Sequence, residues 1–301
     1  MAARLPNFVV VGAAKCGTTS VWQYLAQHPD VYLPQRRKEL HHFAADAVRA
    51  NSAGPGDGRA VEDLCATWDE YVAQFAEAGD QAAVGDVSPS YFAYPQSAEA
   101  IRRRLGDPRI VLILRDPVQK AFSQYAHLLR DGRETLPFWD ALAAEPERRA
   151  KGYGALWRYV ESGRYAEPTR RFIEVFGRDR VLVLFFEDLV RDPQAVMREL
   201  FAFLGVDPAV PIDTSGVFNK SGAPRSRRLA SLLTQRNPLR SLARRLLPPR
   251  LTAAVAWWIV GLNTGGKPTL EPRARQFLQE HLAPDVARLQ QILGRTPAWQ
   301  Q

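Results

Sequence analysis

Three groups of side chains have the types and spacing to hold an anion and move a proton. The first lies in residues 8–20, FVVVGAAKCGTTS, where Lys15 supplies a full positive charge and Thr18, Thr19 and Ser20 supply hydroxyl donors beside Cys16 and Gly17. The second is Arg115 with Ser123, at and beyond the end of the apolar run RIVLIL. An arginine fork placed there can take a phosphate through two parallel hydrogen bonds. The third is residues 35–43, QRRKELHHF, which crowd Lys38, Glu39, His41 and His42 together. Glu39 and both histidines are candidate general bases. Each group also has a plainer reading: a hydroxyl-capped helix start, an Arg–Asp pair at a helix end, and a solvated charged loop.

These side chains need elements that point them at one place. Phe8, Val9, Val10 and Val11 read as a buried strand that stops at Gly12, and Val21-Trp22-Gln23-Tyr24-Leu25 reads as a helix. A strand, a glycine-marked turn and a helix start together hold phosphate well. The first N–H groups of the helix point at the anion, and the helix dipole favours its charge. Gly12 and Gly17 have the glycine spacing of a Walker A loop, GxxxxGK[ST], but Thr18 stands where its lysine would be. The loop's only lysine, Lys15, comes earlier. The usual nucleoside-triphosphate and Mg²⁺ pattern is therefore incomplete.

The chain has 301 residues, 46% hydrophobic and 24% charged, with a formal charge of +8. That suits a soluble α/β protein able to bury a sizeable core. The positive balance suits an anionic ligand or surface, and no nucleic-acid-binding motif accompanies it. Two cysteines, Cys16 and Cys65, make neither a disulfide framework nor a zinc set. No apolar run reaches the ~20 residues of a membrane span, and MAARLPNF does not read as a signal peptide, so the expectation is a cytoplasmic protein.

Further along, residues 31–33 form a short strand and residues 50–58 a mobile surface loop rich in glycine. Residues 84–94, VGDVSPSYFAY, bring Asp86, Ser88 and Tyr91 to a strand end. Residues 109–114 and 180–186 are further buried strands, and residues 97–105, 165–176 and 193–204 are helices. Residues 131–153, broken by Pro137, Pro146 and Gly152, read as a lid or surface excursion. The alternation predicts an α/β fold with a P-loop-like parallel sheet flanked by helices, and additional C-terminal helices that include residues 272–293. It is read as one domain, with the core sheet over about 5–206 and a covering loop plus helices over 207–301. Residues 240–262 mix arginines with Leu246, Leu247, Trp257 and Trp258, which allows a peripheral membrane contact as well as helix packing.

Three of these stretches, in this order, resemble the sulfotransferases that use 3′-phosphoadenosine 5′-phosphosulfate (PAPS). AAKCGTTS, residues 13–20, is similar to the family's 5′-phosphosulfate loop. RRKELHHF, residues 36–43, is similar to the KE segment of its carbohydrate-type and bacterial branches. ILRDPVQKAFSQY, residues 113–125, is similar to its 3′-phosphate motif.

The resemblance implies that Lys15 contacts the oxygen bridging phosphate and sulfate. It implies that Cys16, Gly17, Thr18, Thr19 and Ser20 surround the 5′-phosphate, and that Arg115 and Ser123 bind the 3′-phosphate. Ser221, Gly222 and Arg225 would cover the nucleotide. Glu39 would be the base, with His41 and His42 as rivals, and Lys38, Asp86, Ser88 and Tyr91 would meet the acceptor. The product would be adenosine 3′,5′-bisphosphate (PAP), with no metal required.

The acceptor would be a carbohydrate, a lipid or another small molecule rather than nucleic acid; oligomeric state is left open. Related carbohydrate-type enzymes often carry Glu-Lys where this chain has Asp86-Val87, so one active-site lysine has no counterpart. The rival classes are a Mg²⁺-dependent P-loop kinase or NTPase, and a non-catalytic protein that binds membranes or polyanions.

Overall fold

The computed structural model describes residues 4–216 and 268–300. Five parallel strands run side by side in the order β2-β3-β1-β4-β5. They are β1 (Phe8–Gly12), β2 (Val31–Tyr32), β3 (Ala83–Val87), β4 (Arg109–Leu114) and β5 (Val181–Phe185). Phe8 sits opposite Gly85 on one side and Arg109 on the other, and Ile110 through Leu114 pair in register with Val181 through Phe185. Every residue of β1 and β3 is buried. That is why these segments read as unbroken apolar runs: helices cover both faces, so neither face asks for polar side chains.

The helices are α1 (Thr18–Leu25), α2 (Ala45–Ala50), α3 (Gly58–Glu62), α4 (Trp68–Ala73), α5 (Ser97–Leu105), α6 (Pro117–Arg130), α7 (Phe138–Ala143), α8 (Glu145–Ala150), α9 (Ala166–Phe176), α10 (Phe186–Arg191), α11 (Pro193–Leu204) and α12 (Pro272–Leu293). α6 starts where local chemistry dictates. Asp116 accepts hydrogen bonds from the N–H groups of Val118 (2.8 Å) and Gln119 (3.4 Å), and Pro117 occupies the first turn, where its missing N–H costs nothing. α12 is tied to α9 by a buried carboxylate, as Asp285 Oδ2 accepts from Tyr165 N (2.6 Å) and Ala166 N (3.1 Å). Ser221, Gly222, Arg225 and the 240–262 segment lie outside the described residues.

Two expectations need correction. Residues 131–153 are not a surface excursion. Phe138, Ala141 and Leu142 of α7 pack with Val118 and Leu128 of α6, with Trp157 and Tyr159, and with Leu278 and Leu282 of α12 in a second apolar cluster. The prolines read as breaks stand at helix starts instead, Pro137 before α7 and Pro146 in the first turn of α8. The 50–58 loop, expected to be mobile, is pinned by buried Asp57. Its carboxylate accepts from Gly54 N (3.0 Å), Gly154 N (2.8 Å) and Trp157 Nε1 (3.1 Å) and pairs with Arg133. Removing one partner of a buried ion pair strands the other charge, so Asp57→Ala should cost about 3–5 kcal/mol in urea unfolding. A loss within about 0.5 kcal/mol, the range of an ordinary surface change, would mean the pin is idle.

Candidate functional site

The strand order fixes where a ligand can sit. From β1 the chain crosses to β2 and returns through β3 on one side, then crosses to β4 and β5 on the other. The connections leaving β1 and its neighbours diverge there, which opens a crevice at the carboxyl ends of the strands. Lys15 follows β1, the 38–41 segment follows β2, Ser88 follows β3 and Arg115 follows β4, so the sequence-derived groups converge on one edge of the sheet.

The β1–α1 turn is shaped for close approach. Gly17 has φ +92°, and a Cβ there would stand 2.9 Å from the Phe186 ring. Only glycine meets both demands. Gly17 is the N-cap of α1 and no side chain caps this helix. Its first N–H groups are therefore open to an anion in the crevice. Lys15 also has positive φ, at 68°. Its amine makes no hydrogen bond among the described residues and lines a cleft of about 980 Å³. Burial, then the neighbouring Arg130 and Arg115 cations, pulls its pKa down to about 8 against the opposing pull of Asp131 and Glu39.

Gly17, Thr18 and Thr19 line the same cleft. Cys16 does not: it is fully buried, its Sγ is 3.9 Å from the Tyr165 hydroxyl, and burial pushes its thiol up to about 11. It packs the turn from behind. Ser20 is half-buried in the first turn of α1.

Glu39 lines the same cleft. Its Oε1 accepts from Lys38 Nζ at 2.9 Å, and Lys38 also donates to Thr19 Oγ1 at 3.0 Å. Lys38 therefore ties the Glu39 segment to the phosphate-type turn. His41 and His42 part company. His41 lines the cleft, with Nε2 3.6 Å from Glu39 Oε2 and Nδ1 2.8 Å from Ser90 Oγ, and burial lowers its pKa. His42 stacks on Tyr71 (4.8 Å between ring centroids) beside Trp68, and its Nδ1 meets Cys65 O at 2.9 Å. It is built into an aromatic cluster rather than into the cleft wall.

Asp86, Ser88 and Tyr91, expected to face an acceptor, are fully buried and bonded to one another. Ser88 Oγ donates to Asp86 Oδ1 (2.6 Å), and the hydroxyls of Tyr91 (2.8 Å) and Tyr71 (3.1 Å) donate to Asp86 Oδ2. In this arrangement they form the floor under the Glu39 segment.

On the far side of the turn, Arg115 donates from Nη1 to Lys15 O (3.3 Å), and its guanidinium lies over the Phe186 ring at 4.4 Å. The Arg–Asp capping pair does not form: Asp116 caps α6 alone, and its own N–H goes to Glu187 Oε1 at 3.0 Å. The hydroxyl of Ser123, half-buried on α6, makes no hydrogen bond among the described residues.

The same helix carries a cluster that sequence reasoning missed. Arg130 Nη2 lies 2.6 Å from His127 Nδ1, Arg130 Nε donates to Asp131 Oδ1 (3.1 Å), and His127 Nε2 is 3.7 Å from Asp131 Oδ2. His127 and Asp131 line the cleft beside Lys15. Burial and then the Lys15 cation drive the His127 pKa down to about 3, so its imidazole is neutral. The signal was present as helical spacing, since His127 follows Ser123 by four residues and precedes Arg130 and Asp131 by three and four.

Among the described residues no three His, Cys, Asp or Glu side chains gather as a metal-ligand set. The cleft thus offers an anion-binding turn, an unengaged amine and a carboxylate among its lining residues, with an arginine bonded to the turn's backbone. That arrangement suits transfer of a small anionic group between two oxygens or from oxygen to nitrogen, with charge developing near Lys15 and a proton leaving toward Glu39. No helix of the described residues is long and apolar enough to cross a membrane.

Comparison with known proteins agrees on one family. A model of the sulfotransferase family matches residues 6–209. The crystal structure of a sulfotransferase from Alicyclobacillus acidocaldarius is 35% identical, with a TM-score of 0.78 over 99% of this chain and 100% of that one. Heparan sulfate glucosamine 3-O-sulfotransferase 3B1 of Homo sapiens is 25% identical over 218 residues, 72% of this chain and 50% of that protein. The human bifunctional heparan sulfate N-deacetylase/N-sulfotransferase 3 is 25% identical over 212 residues, 68% of this chain and 23% of that protein. The chain thus spans half or less of the length of these two curated relatives.

Proposed function

Because the chain belongs to the sulfotransferase family, we propose that it moves a sulfo group from PAPS to a hydroxyl or amine of an acceptor. The observation that carries this reading is the unengaged Lys15 amine. It sits beside the uncapped start of α1, with Glu39 on the same cleft and Arg115 behind the turn.

In this reading the N–H groups at the start of α1 and the hydroxyls of Thr18, Thr19 and Ser20 hold the 5′-phosphate. Arg115 and Ser123 hold the 3′-phosphate. Lys15 donates to the oxygen that keeps the electron pair when its bond to sulfur breaks, and Glu39 accepts the acceptor's proton. A loose in-line transfer of this kind asks mainly for positioning and for charge stabilisation at the leaving oxygen. Thr18 at the Walker lysine position fits this chemistry and leaves a kinase or NTPase without its β/γ-phosphate lysine.

The acceptor class remains broad in this proposal: a carbohydrate, a lipid or a small natural product. The relatives' names include both O- and N-sulfotransferases of heparan sulfate. A second contact, with an anionic surface or chain, is favoured by charge distribution. Residues 217–267 hold ten of the forty Lys and Arg residues and none of the Asp and Glu residues.

Thermal melting separates the donor reading from its rival. A ligand that binds only the folded state raises Tm, by the equivalent of about 2.7 kcal/mol at a hundred times its Kd. PAP in the presence of EDTA should therefore raise Tm, and ATP with Mg²⁺ should not. The reverse pattern would overturn the sulfotransferase donor site in favour of a nucleotide kinase.

A further inference from the structure

Glu39 sits on a segment whose backbone is held from below by a single hydroxyl. Ser88 Oγ accepts from Leu40 N at 2.9 Å and from His41 N at 3.3 Å while donating to Asp86 Oδ1 at 2.6 Å. Both Ser88 and Asp86 are fully buried. We propose that Ser88 and Asp86 are positioning residues for sulfo transfer: they lock the Leu40–His41 turn and so aim the Glu39 carboxylate at the cleft face of Lys15. This rests on the assignment of Glu39 as the base.

Three features hold this segment in place. His41 has φ 56°, a left-handed conformation that a non-glycine residue adopts at a cost and keeps only where its surroundings over-determine it. Here its N–H is held by Ser88 and its imidazole by Ser90, at 2.8 Å. Second, Asp86 has no cationic partner among the described residues. Its three hydrogen-bonding neighbours are the hydroxyls of Ser88, Tyr71 and Tyr91.

An ionised carboxylate only accepts, so it draws the Ser88 proton toward itself and leaves the lone pairs of Oγ facing the two amides. Burial raises the Asp86 pKa to about 6, so the carboxylate is mostly ionised at neutral pH and the hydroxyl keeps this orientation. Third, Lys38 fastens the same segment to Thr19 at 3.0 Å, so the carboxylate is gripped on both sides. Asp86 stands where related carbohydrate-type enzymes often carry the Glu of a Glu-Lys pair; in this chain it acts through Ser88 and does not touch the acceptor.

The test needs no knowledge of the acceptor, because water can serve as one. The bond between sulfur and the bridging oxygen breaks, a bond from sulfur to water oxygen forms, the water proton passes to Glu39, and PAP and sulfate leave. Ser88→Ala and Asp86→Asn are compared with the unaltered full-length chain in three measurements: conversion of PAPS to PAP in water, PAP affinity, and amide hydrogen exchange.

The expected result is faster exchange confined to the amides of Leu40 and His41 and a fall in kcat of about 10–10²-fold, the scale of a misplacement near 1 Å. PAP affinity should be unchanged. Unaltered exchange at Leu40 and His41 in Ser88→Ala would overturn the proposal. So would faster exchange across the whole sheet with loss of PAP binding, which is general destabilisation. Glu39→Gln run alongside separates the two readings: normal turnover in that variant refutes the base assignment, while the exchange pattern still judges the tether.

Discussion

Lys15→Ala should lower kcat on the order of 10²–10³-fold, the loss that follows removal of one donor to a developing oxyanion. The chain places no other unengaged amine in the β1–α1 turn, because Thr18 occupies the Walker lysine position and Lys38 is bonded to Thr19 and Glu39. Uniform binding loss would raise KM and spare kcat, whereas a group that acts only as the bond breaks lowers kcat.

The pH dependence carries a sign. Lys15 donates only when protonated, and burial with nearby Arg130 and Arg115 lowers its pKa to about 8 in the free protein. kcat/KM should therefore be level below that pH and fall as pH rises through it. A bound anionic donor favours the charged amine, so the corresponding fall in kcat should come at higher pH. Stopped assays across about pH 6–10 check both limbs. A Lys15→Ala variant with near-normal kcat would remove the lysine from the chemistry.

Glu39→Gln should lower kcat about 10²–10⁴-fold, the range for a positioned general base. The carboxylate is suited to the role because it lines the cleft and Lys38 at 2.9 Å keeps it in place. Glutamine keeps the shape and cannot accept the proton. His42→Ala, by contrast, should leave turnover near that of the unaltered chain, since His42 is packed against Tyr71 and Trp68. Single-turnover measurements would separate these outcomes. Loss of turnover in His42→Ala with full activity in Glu39→Gln would reverse the assignment.

The strands at 8–12 and 109–114 were legible because a parallel strand buried on both faces leaves an unbroken β-branched and aliphatic run. The helix starts at Pro117 and Pro193 were legible because Asp caps precede both prolines. The second apolar cluster was not. Pro137 and Pro146 look like breaks in a linear reading, and only the packing of Phe138 and Leu142 on α12, far along the chain, makes them helix starts.

The site divides the same way. Lys15, Thr19, Glu39 and Arg115 declared themselves through residue type and position at strand ends. Which of two adjacent histidines faces the cleft depends on the left-handed turn at His41, and Ser88, 47 residues away, holds that turn. Asp86 was read as an acceptor contact because it stands near a strand end, where ligands of open α/β sheets bind. Two tyrosine hydroxyls that bury it come from outside the strand. His127, Arg130 and Asp131 were missed because the cluster straddles the end of α6, with Arg130 its last residue and Asp131 its C-cap, and only the folded turn brings the three side chains together.

Full-length chain incubated with PAPS labelled in its sulfo group, in EDTA, should release the label from the nucleotide and leave PAP, and Lys15→Ala and Glu39→Gln should each slow that release far below the unaltered rate. Label that stays on the nucleotide, or that leaves at the same rate from all three proteins, would contradict it.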